Sequence, residues 1–390
     1  MKRRFTLGFL AASAAVALSI GSIAGAADQP ITIPVILPLT GPGAFIGQTH
    51  QKSLQILEGV VNKDGGVNGR PVKFDFLDDQ SSPQVAKQLA SQDQSGLPVV
   101  LGSALAAMCN AIGPVYESSS RVNYCLSPSI FPTAGSFVFS SGTNTVDDLV
   151  AIVRFLREKG WKKIALIATT DSSGQDGAND LLEALKLPVN SGLSLVASER
   201  FNPGDVSVSA QLARVKAASP QALVVMATGP AFANVLHAVQ DIGLDVPLAS
   251  TPANMVGKQL EQYASFMPKE LYFPGVTYAA GIAPNAPVKH EQDVYNTAMK
   301  AAGVTTDFQT GMPWDAGLIV VDALRKLGPS ATGAQVRDYI AKLKNFAGIL
   351  GVYDFTKFPQ RGVGIDDVVM MRWAAGSGWS NASSFGGALR

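Results

Sequence analysis

The sequence has few of the residues that build metal sites and catalytic sites. Its 390 residues include only two cysteines, Cys109 and Cys125, and three histidines. The cysteines lack C-x-x-C spacing and no histidine lies near them in the sequence, which excludes a zinc site of the usual kind. Two interpretations of the cysteines remain open, a disulfide in an oxidising compartment or a pair of buried thiols.

A catalytic set is also missing. His50, His237 and His290 are scattered along the chain, and none of them follows a predicted strand. The G-x-S-x-G pattern that positions a nucleophilic serine does not occur in the sequence. We therefore predict that the protein is not an enzyme and that it uses no metal and no cofactor.

The N-terminus, residues 1–26, has the three parts of a secretory signal peptide. "MKRR" is positively charged, "FTLGFLAASAAVALSI" is apolar or small, and "AGA" ends at Ala26 with the small residues that signal peptidase accepts. Because the apolar run is short for a membrane anchor, we predict cleavage after Ala26 and a mature protein in the periplasm. This oxidising compartment favours a disulfide between Cys109 and Cys125.

Little net charge remains once the leader is removed. Only 16% of the residues are charged, and the formal charge of +1 becomes −2 without Lys2, Arg3 and Arg4. A chain without a strongly basic field is a poor partner for nucleic acid or for an anionic membrane surface. We expect neither of these partners.

Beyond the leader, strand patterns alternate with amphipathic helix patterns. The first half begins with "ITIPVILPL", "QTHQKSLQILEGVVNKDGG" and "RPVKFDFLDDQ", and a second run of the same kind starts near Thr145. This order predicts an α/β fold in which helices cover parallel sheets. The chain is long for one hydrophobic core, so we expect two lobes. The C-terminal part differs, with three predicted helices followed by a pair of strands.

The glycines after the first predicted strand raise the alternative of a nucleotide site. Gly41 and Gly47 bound a loop, called the glycine loop below, whose spacing is G-x-G-x-x-x-G and in which Pro42 lacks a backbone donor. A dinucleotide fold requires G-x-G-x-x-G and an acid after the second strand. Asp78 and Asp79 meet only the second requirement. An exported NAD(P)-dependent oxidoreductase that uses this loop therefore stays an alternative.

Small and hydroxylated residues recur where the predicted parallel strands end. Six such segments are "LTGPGAF", "GSALAAMC", "SPSIF", "TTDSSGQD", "ATGPAF" and "STPAN". Ligands of parallel α/β sheets bind beyond the carboxyl ends of the strands, and small residues let helix-start N–H groups approach a carboxylate. Ordinary turns use the same residues, but six segments from two lobes favour a cleft between the lobes.

Several of these segments resemble a known family. "ITIPVILPLTGPGAF", "NKDGGVNGRPV" and "DDQSSP" are similar to the opening of the periplasmic leucine/isoleucine/valine-binding protein family, and "WDAGLIVVDAL" and "GVYDFTKFPQRG" resemble its later segments. The resemblance covers the whole mature chain. It implies a type I periplasmic binding fold, in which two Rossmann-like lobes are joined by three crossover segments and close on a small molecule. The implied lobes are 27–146 plus 278–346 and 147–277 plus 347–390.

The same resemblance implies a role and partners. Members of this family are solute receptors of ABC importers, so we expect a monomer that delivers a small molecule to an ABC permease in the inner membrane. A ligand-sensing partner of a signalling receptor would share the fold and stays an alternative.

The family's ligand contacts map onto residues from both lobes. Where the family has hydroxyl groups at the start of the third helix, this chain has methyl groups, and its "STPAN" segment lacks the acid that pairs with a ligand ammonium. Because a buried ammonium without a partner is costly, we predict a small organic carboxylate with an apolar or aromatic body, and weak or no binding of leucine or valine. The mapped residues are Phe45, Ala106, Ala107, Met108, Ser127, Ser129, Phe131, Ser173, Thr228 and Thr251.

Overall fold

The structure is a computed structural model that describes residues 29–275 and 277–389. The predicted signal peptide, residues 1–26, lies outside the described residues. The described chain forms two large sheets covered by helices, which confirms the predicted α/β fold with two lobes. None of the helices in these ranges combines the length and the apolar character needed to span a membrane.

The first sheet is built by the N-terminal part of the chain. Its elements are β1 (Ile31–Leu37), α1 (Ala44–Lys63), β2 (Val72–Asp78), α2 (Pro83–Gln92), β3 (Val99–Gly102), α3 (Ala106–Ser118), β4 (Val122–Cys125) and β5 (Val138–Ser140). The strand order is β2-β1-β3-β4-β5, and every neighbouring pair is parallel. Strand β1 is buried over most of its length, as expected for a parallel strand covered by helices on both faces.

The second sheet and its helices begin with a helix at Thr145. Its first elements are α4 (Thr145–Glu158), β6 (Lys163–Thr169), α5 (Ser172–Lys186), β7 (Ser194–Phe201), α6 (Ser209–Ala217), β8 (Ala222–Met226), α7 (Gly229–Asp241), β9 (Leu248–Ser250), α8 (Gly257–Gln262) and β10 (Leu271–Pro274). The pairs among β6, β7, β8, β9 and β10 are parallel. The predicted second α/β run is therefore present.

The C-terminal part returns to the first sheet and then completes the second. Its elements are α9 (Ala286–Ala301), α10 (Phe308–Leu327), α11 (Gly333–Ala341), β11 (Phe346–Ala347), β12 (Val352–Tyr353), β13 (Val369–Ala374) and β14 (Gly378–Phe385). Helices α9 and α10 pack on α1, and α11 packs on α10 and β4. Strands β13 and β14 extend the second sheet in antiparallel fashion, giving the order β14-β13-β10-β9-β8-β6-β7.

Three segments cross between the lobes: residues 141–144, residues 275–285, in which position 276 is not described, and residues 354–368. The β11–β12 ladder contacts α9. This contact suggests a lobe 1 position for residues 347–353, which the sequence-based division gives to lobe 2, and all boundaries of that division remain predictions.

Arg361, in the third crossover segment, binds the first crossover segment and the loop between β4 and β5. The guanidinium of Arg361 donates hydrogen bonds to the carbonyls of Ile130 at 2.6 Å, Gly142 at 3.0 Å and Ser141 at 3.4 Å. The arginine is only 6% exposed. We call Arg361 and these three carbonyls the hinge clamp, because they tie together two of the segments on which the lobes would move.

Candidate functional site

A cavity of about 730 Å³ lies between the two lobes. Lobe 1 contributes the first turns of α1 and α10, and lobe 2 contributes the first turn of α7 and part of residues 253–262. Helix starts carry N–H groups and the positive end of the helix dipole. Asp307 already caps α10 and Pro230 lacks an N–H in α7, so the remaining N–H groups of α1 and α7 favour an anion. The lining residues are Phe45, Ile46, Thr49, Thr228, Gly229, Pro230, Ala253, Val256, Lys258, Gln259, Gln262, Gly303, Val304, Thr305, Asp307, Gln309 and Thr310.

The start of α7 is open toward this cavity. Thr228 precedes the helix, but its side chain makes no capping hydrogen bond. Thr228 is exposed and lines the cavity together with Gly229. Because nothing in the described chain lies within 4 Å of a Cβ placed on Gly229, a ligand can approach the backbone there.

Two ionisable side chains belong to the lining, Lys258 from lobe 2 and Asp307 from lobe 1. Asp307 is buried and caps α10, because its Oδ1 atom accepts hydrogen bonds from the backbone N–H of Thr310 at 3.0 Å and from the Thr310 hydroxyl at 3.1 Å. Burial raises the pKa of the Asp307 carboxyl above its usual value. Among the residues that the structure describes, no group of three or more His, Cys, Asp or Glu side chains is arranged to hold a metal ion.

A buried histidine orients one amide of the lining. The Nε2 atom of His50 on α1 lies 3.2 Å from Oε1 of Gln309. Burial lowers the pKa of His50 to about 4, so the ring is neutral near pH 7. Because an amide oxygen only accepts hydrogen bonds, Nε2 carries the proton and the NH2 group of Gln309 is turned away from His50.

Sequence reasoning missed Lys258, Asp307 and Gln309. The pattern D-x-x-T at Asp307 and Thr310 predicts the start of a helix, but it does not show that this helix start faces lobe 2. For Lys258 no local signal exists, because an isolated lysine on a short helix is typical of any solvated surface.

The glycine loop is held by side chains that follow the second strand. Asp78 accepts hydrogen bonds from the Thr40 backbone N–H at 3.1 Å and the Thr40 hydroxyl at 2.7 Å, and the Gly43 N–H donates to the Ser81 hydroxyl at 2.9 Å. Asp79 is fully buried. The Gly43 N–H and the Asp78 carboxylate, which a nucleotide would need, thus already have partners within the protein, which argues against the NAD(P) alternative.

Two of the ten predicted ligand contacts, Phe45 and Thr228, come together in the cavity. Phe45 lies in the first turn of α1 and is 64% exposed. Thr251 is adjacent, since it caps the short 3-10 helix Pro252–Asn254, which contributes to the lining. Ser173 lies in the first turn of α5, outside the lining.

The other predicted contacts of lobe 1 lie elsewhere. Ser127 and Ser129 follow β4, where the Ser127 hydroxyl oxygen accepts the Ser129 backbone N–H at 3.4 Å in a local turn. Ala106 and Ala107 begin α3. Phe131 lines a different groove, which runs along α3 on the surface of lobe 1. A ligand role for these five residues remains a prediction.

Met108, also a predicted ligand contact, is buried. It is 4% exposed and packs in the core of lobe 1 with Ile36, Ile112 and Tyr116. Its burial follows from the orientation of α3, whose apolar face points at the sheet. The spacing of Met108, Ile112 and Tyr116, four residues apart each time, was the sequence signal for a buried helix face.

The structure joins Cys109 and Cys125 by a disulfide, with 5.9 Å between the two Cα atoms. The bridge links the first turn of α3 to the end of β4 and lies in a small buried cluster with Ile130. It therefore ties a helix to the strand beside it at the edge of lobe 1 where the predicted serine contacts lie.

Replacing both cysteines by alanine is expected to lower the free energy of unfolding by about 3 kcal/mol, because the bridge joins residues with a sequence separation of 16 and so closes a loop in the unfolded chain. Urea unfolding of the oxidised protein and of the Cys109→Ala/Cys125→Ala variant measures the difference. Thiol labelling of the unreduced, unfolded protein is the control, and two free thiols there would contradict the bridge.

Comparison with known proteins agrees with this architecture. Residues 30–378 match the family model of the periplasmic binding proteins. The chain is 30% identical over 224 residues to Leu/Ile/Val-binding protein homolog 3 of Brucella melitensis, covering 54% of this chain and 58% of that protein. It is 26% identical over 236 residues to the leucine-, isoleucine-, valine-, threonine- and alanine-binding protein of Pseudomonas aeruginosa, covering 59% and 62%. The chain thus spans roughly three fifths of the length of these curated relatives.

A solved structure shares the fold over nearly the whole chain. The branched-chain amino acid transporter substrate-binding protein of Streptococcus pneumoniae, in complex with isoleucine, superposes with a TM-score of 0.73 at 19% identity, covering 91% of this chain and 98% of that chain. The family model matches most of the sequence, and the two lobes, the crossovers and the cavity between them are those of the type I fold. The chain therefore belongs to the leucine/isoleucine/valine-binding family of periplasmic binding proteins.

Proposed function

We propose that the protein is an extracytoplasmic solute receptor that binds a small organic carboxylate with an apolar or aromatic body between its lobes and delivers it to an ABC permease. The observation that carries this proposal is the composition of the cavity. Its described lining combines apolar side chains, the uncapped starts of α1 and α7 and one lysine, and its one acid already caps α10.

The apolar side of the cavity suits an apolar or aromatic ligand body. Phe45, Ile46, Val256 and Val304 line it, and Phe45 presents an aromatic ring that is largely exposed. Burying such a ring against a ligand contributes on the order of 2–3 kcal/mol to binding.

The polar side suits a carboxylate better than a free amino acid. An amino acid brings an ammonium that must find an acceptor inside the closed cavity. The one acid of the described lining is Asp307, whose Oδ1 atom caps α10 and whose burial disfavours the charged form, so no ionised partner is free for the ammonium. A lone carboxylate avoids this requirement, and it finds donors at the open start of α7 and in Lys258.

Calorimetry with benzoate, cinnamate, leucine, isoleucine and valine tests the ligand class. We expect micromolar or tighter binding of at least one aromatic acid and weak or no binding of the three amino acids, because the described lining has cationic and helix-start donors and its one acid caps α10. Binding of a branched-chain amino acid at micromolar affinity, with no response to the aromatic acids, would reject this ligand class.

An Asp307→Asn variant sharpens the same test. Asparagine keeps the helix cap, so the fold is retained, but it removes the charge that an ammonium would need. We expect the affinity for the aromatic acid to change less than about threefold, since a charge that contacts no ligand group contributes under 1 kcal/mol. A loss of more than about a hundredfold would indicate an ammonium partner, as expected for a buried charge pair.

The importer role and the signalling alternative differ in what the loaded receptor contacts. Uptake of the labelled acid by cells that lack the gene separates them. Loss of uptake supports delivery to a permease, whereas normal uptake with a lost cellular response supports the signalling role.

A further inference from the structure

Lys258 is the one cationic side chain in the described lining of the cavity. It lies on α8 in lobe 2, is exposed, and has no ion-pair partner within residues 29–275 and 277–389. The lining residues beside it, Val256, Gln259 and Gln262, carry no charge. Its ammonium group is thus available to a ligand that enters between the lobes.

Gln309 lines the same cavity from lobe 1. Its Oε1 atom is occupied by Nε2 of the buried His50, so its NH2 group is the part left for a ligand. In the described chain no acceptor within hydrogen-bond distance takes that group. His50 is held in turn on α1, 1% exposed, which makes the amide orientation a property of the fold.

We propose that Lys258 from lobe 2 and the NH2 group of Gln309 from lobe 1 hold the carboxylate of the ligand between them, so that ligand charge is coupled to closure of the lobes. This inference rests on the proposed function and names its specificity-determining residues. It places the carboxylate at α8 and α10, not at Ser127 and Ser129, which lie outside the cavity lining. A ligand that lacks the negative charge loses the lobe 2 contact and closes the receptor poorly.

Two ligands that differ only in charge test the pair, cinnamate and its neutral amide cinnamamide. Lys258→Gln removes the cation. Gln309→Glu keeps an acceptor for His50 but replaces the donor NH2 group with an oxygen. Lys162→Gln is the matched control, since Lys162 is an exposed lysine of lobe 2 that precedes β6 and lies outside the cavity lining.

Wild-type protein is expected to bind cinnamate at least about tenfold more tightly than cinnamamide, and both cavity variants are expected to remove that preference. Calorimetry at one ionic strength gives the affinities, and X-ray scattering with cinnamate is expected to show closure in the wild type and in Lys162→Gln only. If Lys258→Gln kept the wild-type preference for cinnamate over cinnamamide, the proposed role of Lys258 and Gln309 would be overturned. The proposed binding of an organic carboxylate would stand. Failure of the wild type to bind cinnamate or benzoate would overturn both proposals.

Discussion

Replacing Arg361 by methionine is expected to lower the free energy of unfolding by about 3–5 kcal/mol, because three buried carbonyls lose a charged donor. The guanidinium of Arg361 donates to three carbonyls of the hinge clamp, at Ile130, Ser141 and Gly142. Methionine fills a similar volume but donates no hydrogen bond, so these buried acceptors lose their partner. Burial lowers the pKa of Arg361 to about 10, which leaves the side chain charged at neutral pH.

Urea unfolding followed by tryptophan fluorescence measures this loss. Arg154→Met is the matched control, because Arg154 is a more exposed arginine that pairs with Glu158 on the surface of α4. We expect the control to lose less than about 1 kcal/mol. A loss of the same small size in Arg361→Met would show that the hinge clamp does not stabilise the fold.

Replacing Asp148 by asparagine is expected to stabilise the protein at pH 8 by up to about 4 kcal/mol and to leave its stability unchanged below pH 4. Asp148 lies in the first turn of α4, fully buried, and accepts a hydrogen bond from the Thr143 hydroxyl at 3.0 Å. The pKa of Asp148 rises from 3.8 to about 7. Desolvation is the largest cause, and the negative charge of Asp147 adds to it. The hydrogen bond from Thr143 and the positive charge of Arg361 lower the pKa but offset the rise only in part.

The sign of the pH dependence follows from these values. The folded state holds the Asp148 proton more tightly than the unfolded state, so this group reduces stability as pH rises from 3.8 to about 7. The asparagine side chain does not titrate and keeps a carbonyl oxygen for Thr143. The difference in unfolding free energy between variant and wild type should therefore grow with pH across that window and then level off.

Unfolding experiments at several pH values from 4 to 8 check this expectation. Comparing the variant with the wild type at each pH cancels the contributions of other buried groups, such as Asp315. A difference that does not vary with pH would show that Asp148 does not titrate in this range.

The glycine loop shows how far sequence reasoning reached. The spacing of its glycines and Pro42 made a dinucleotide site improbable, but Asp78 and Asp79 kept that alternative open. The structure weakens it because Asp78 accepts hydrogen bonds from Thr40, which lies 38 residues away in the sequence. No local pattern predicts which donor a carboxylate will meet across a sheet edge.

The ligand site was predicted only in part, for a similar reason. Phe45 and Thr228 were placed on helix starts at strand ends, and the parallel topology brought them to one cavity. Met108 was placed one helix position away from the exposed Ala107, and at that position the side chain points into the core. A rotation of about 100° per residue separates a cleft position from a core position, so a small alignment error changes the assignment.

The sequence by itself determined the alternation of strands and helices, the α/β class and the family, because these depend on local periodicity and on short motifs that survive as a linear pattern. Only the tertiary structure decided which side chains meet. His50 reaches Gln309 across 259 residues, and Arg361 reaches Gly142 across 219. The physical reason is that these contacts depend on how whole helices and strands pack and how the chain crosses between the lobes. Many residues share the energy of that packing, so no single residue specifies which side chain it will contact.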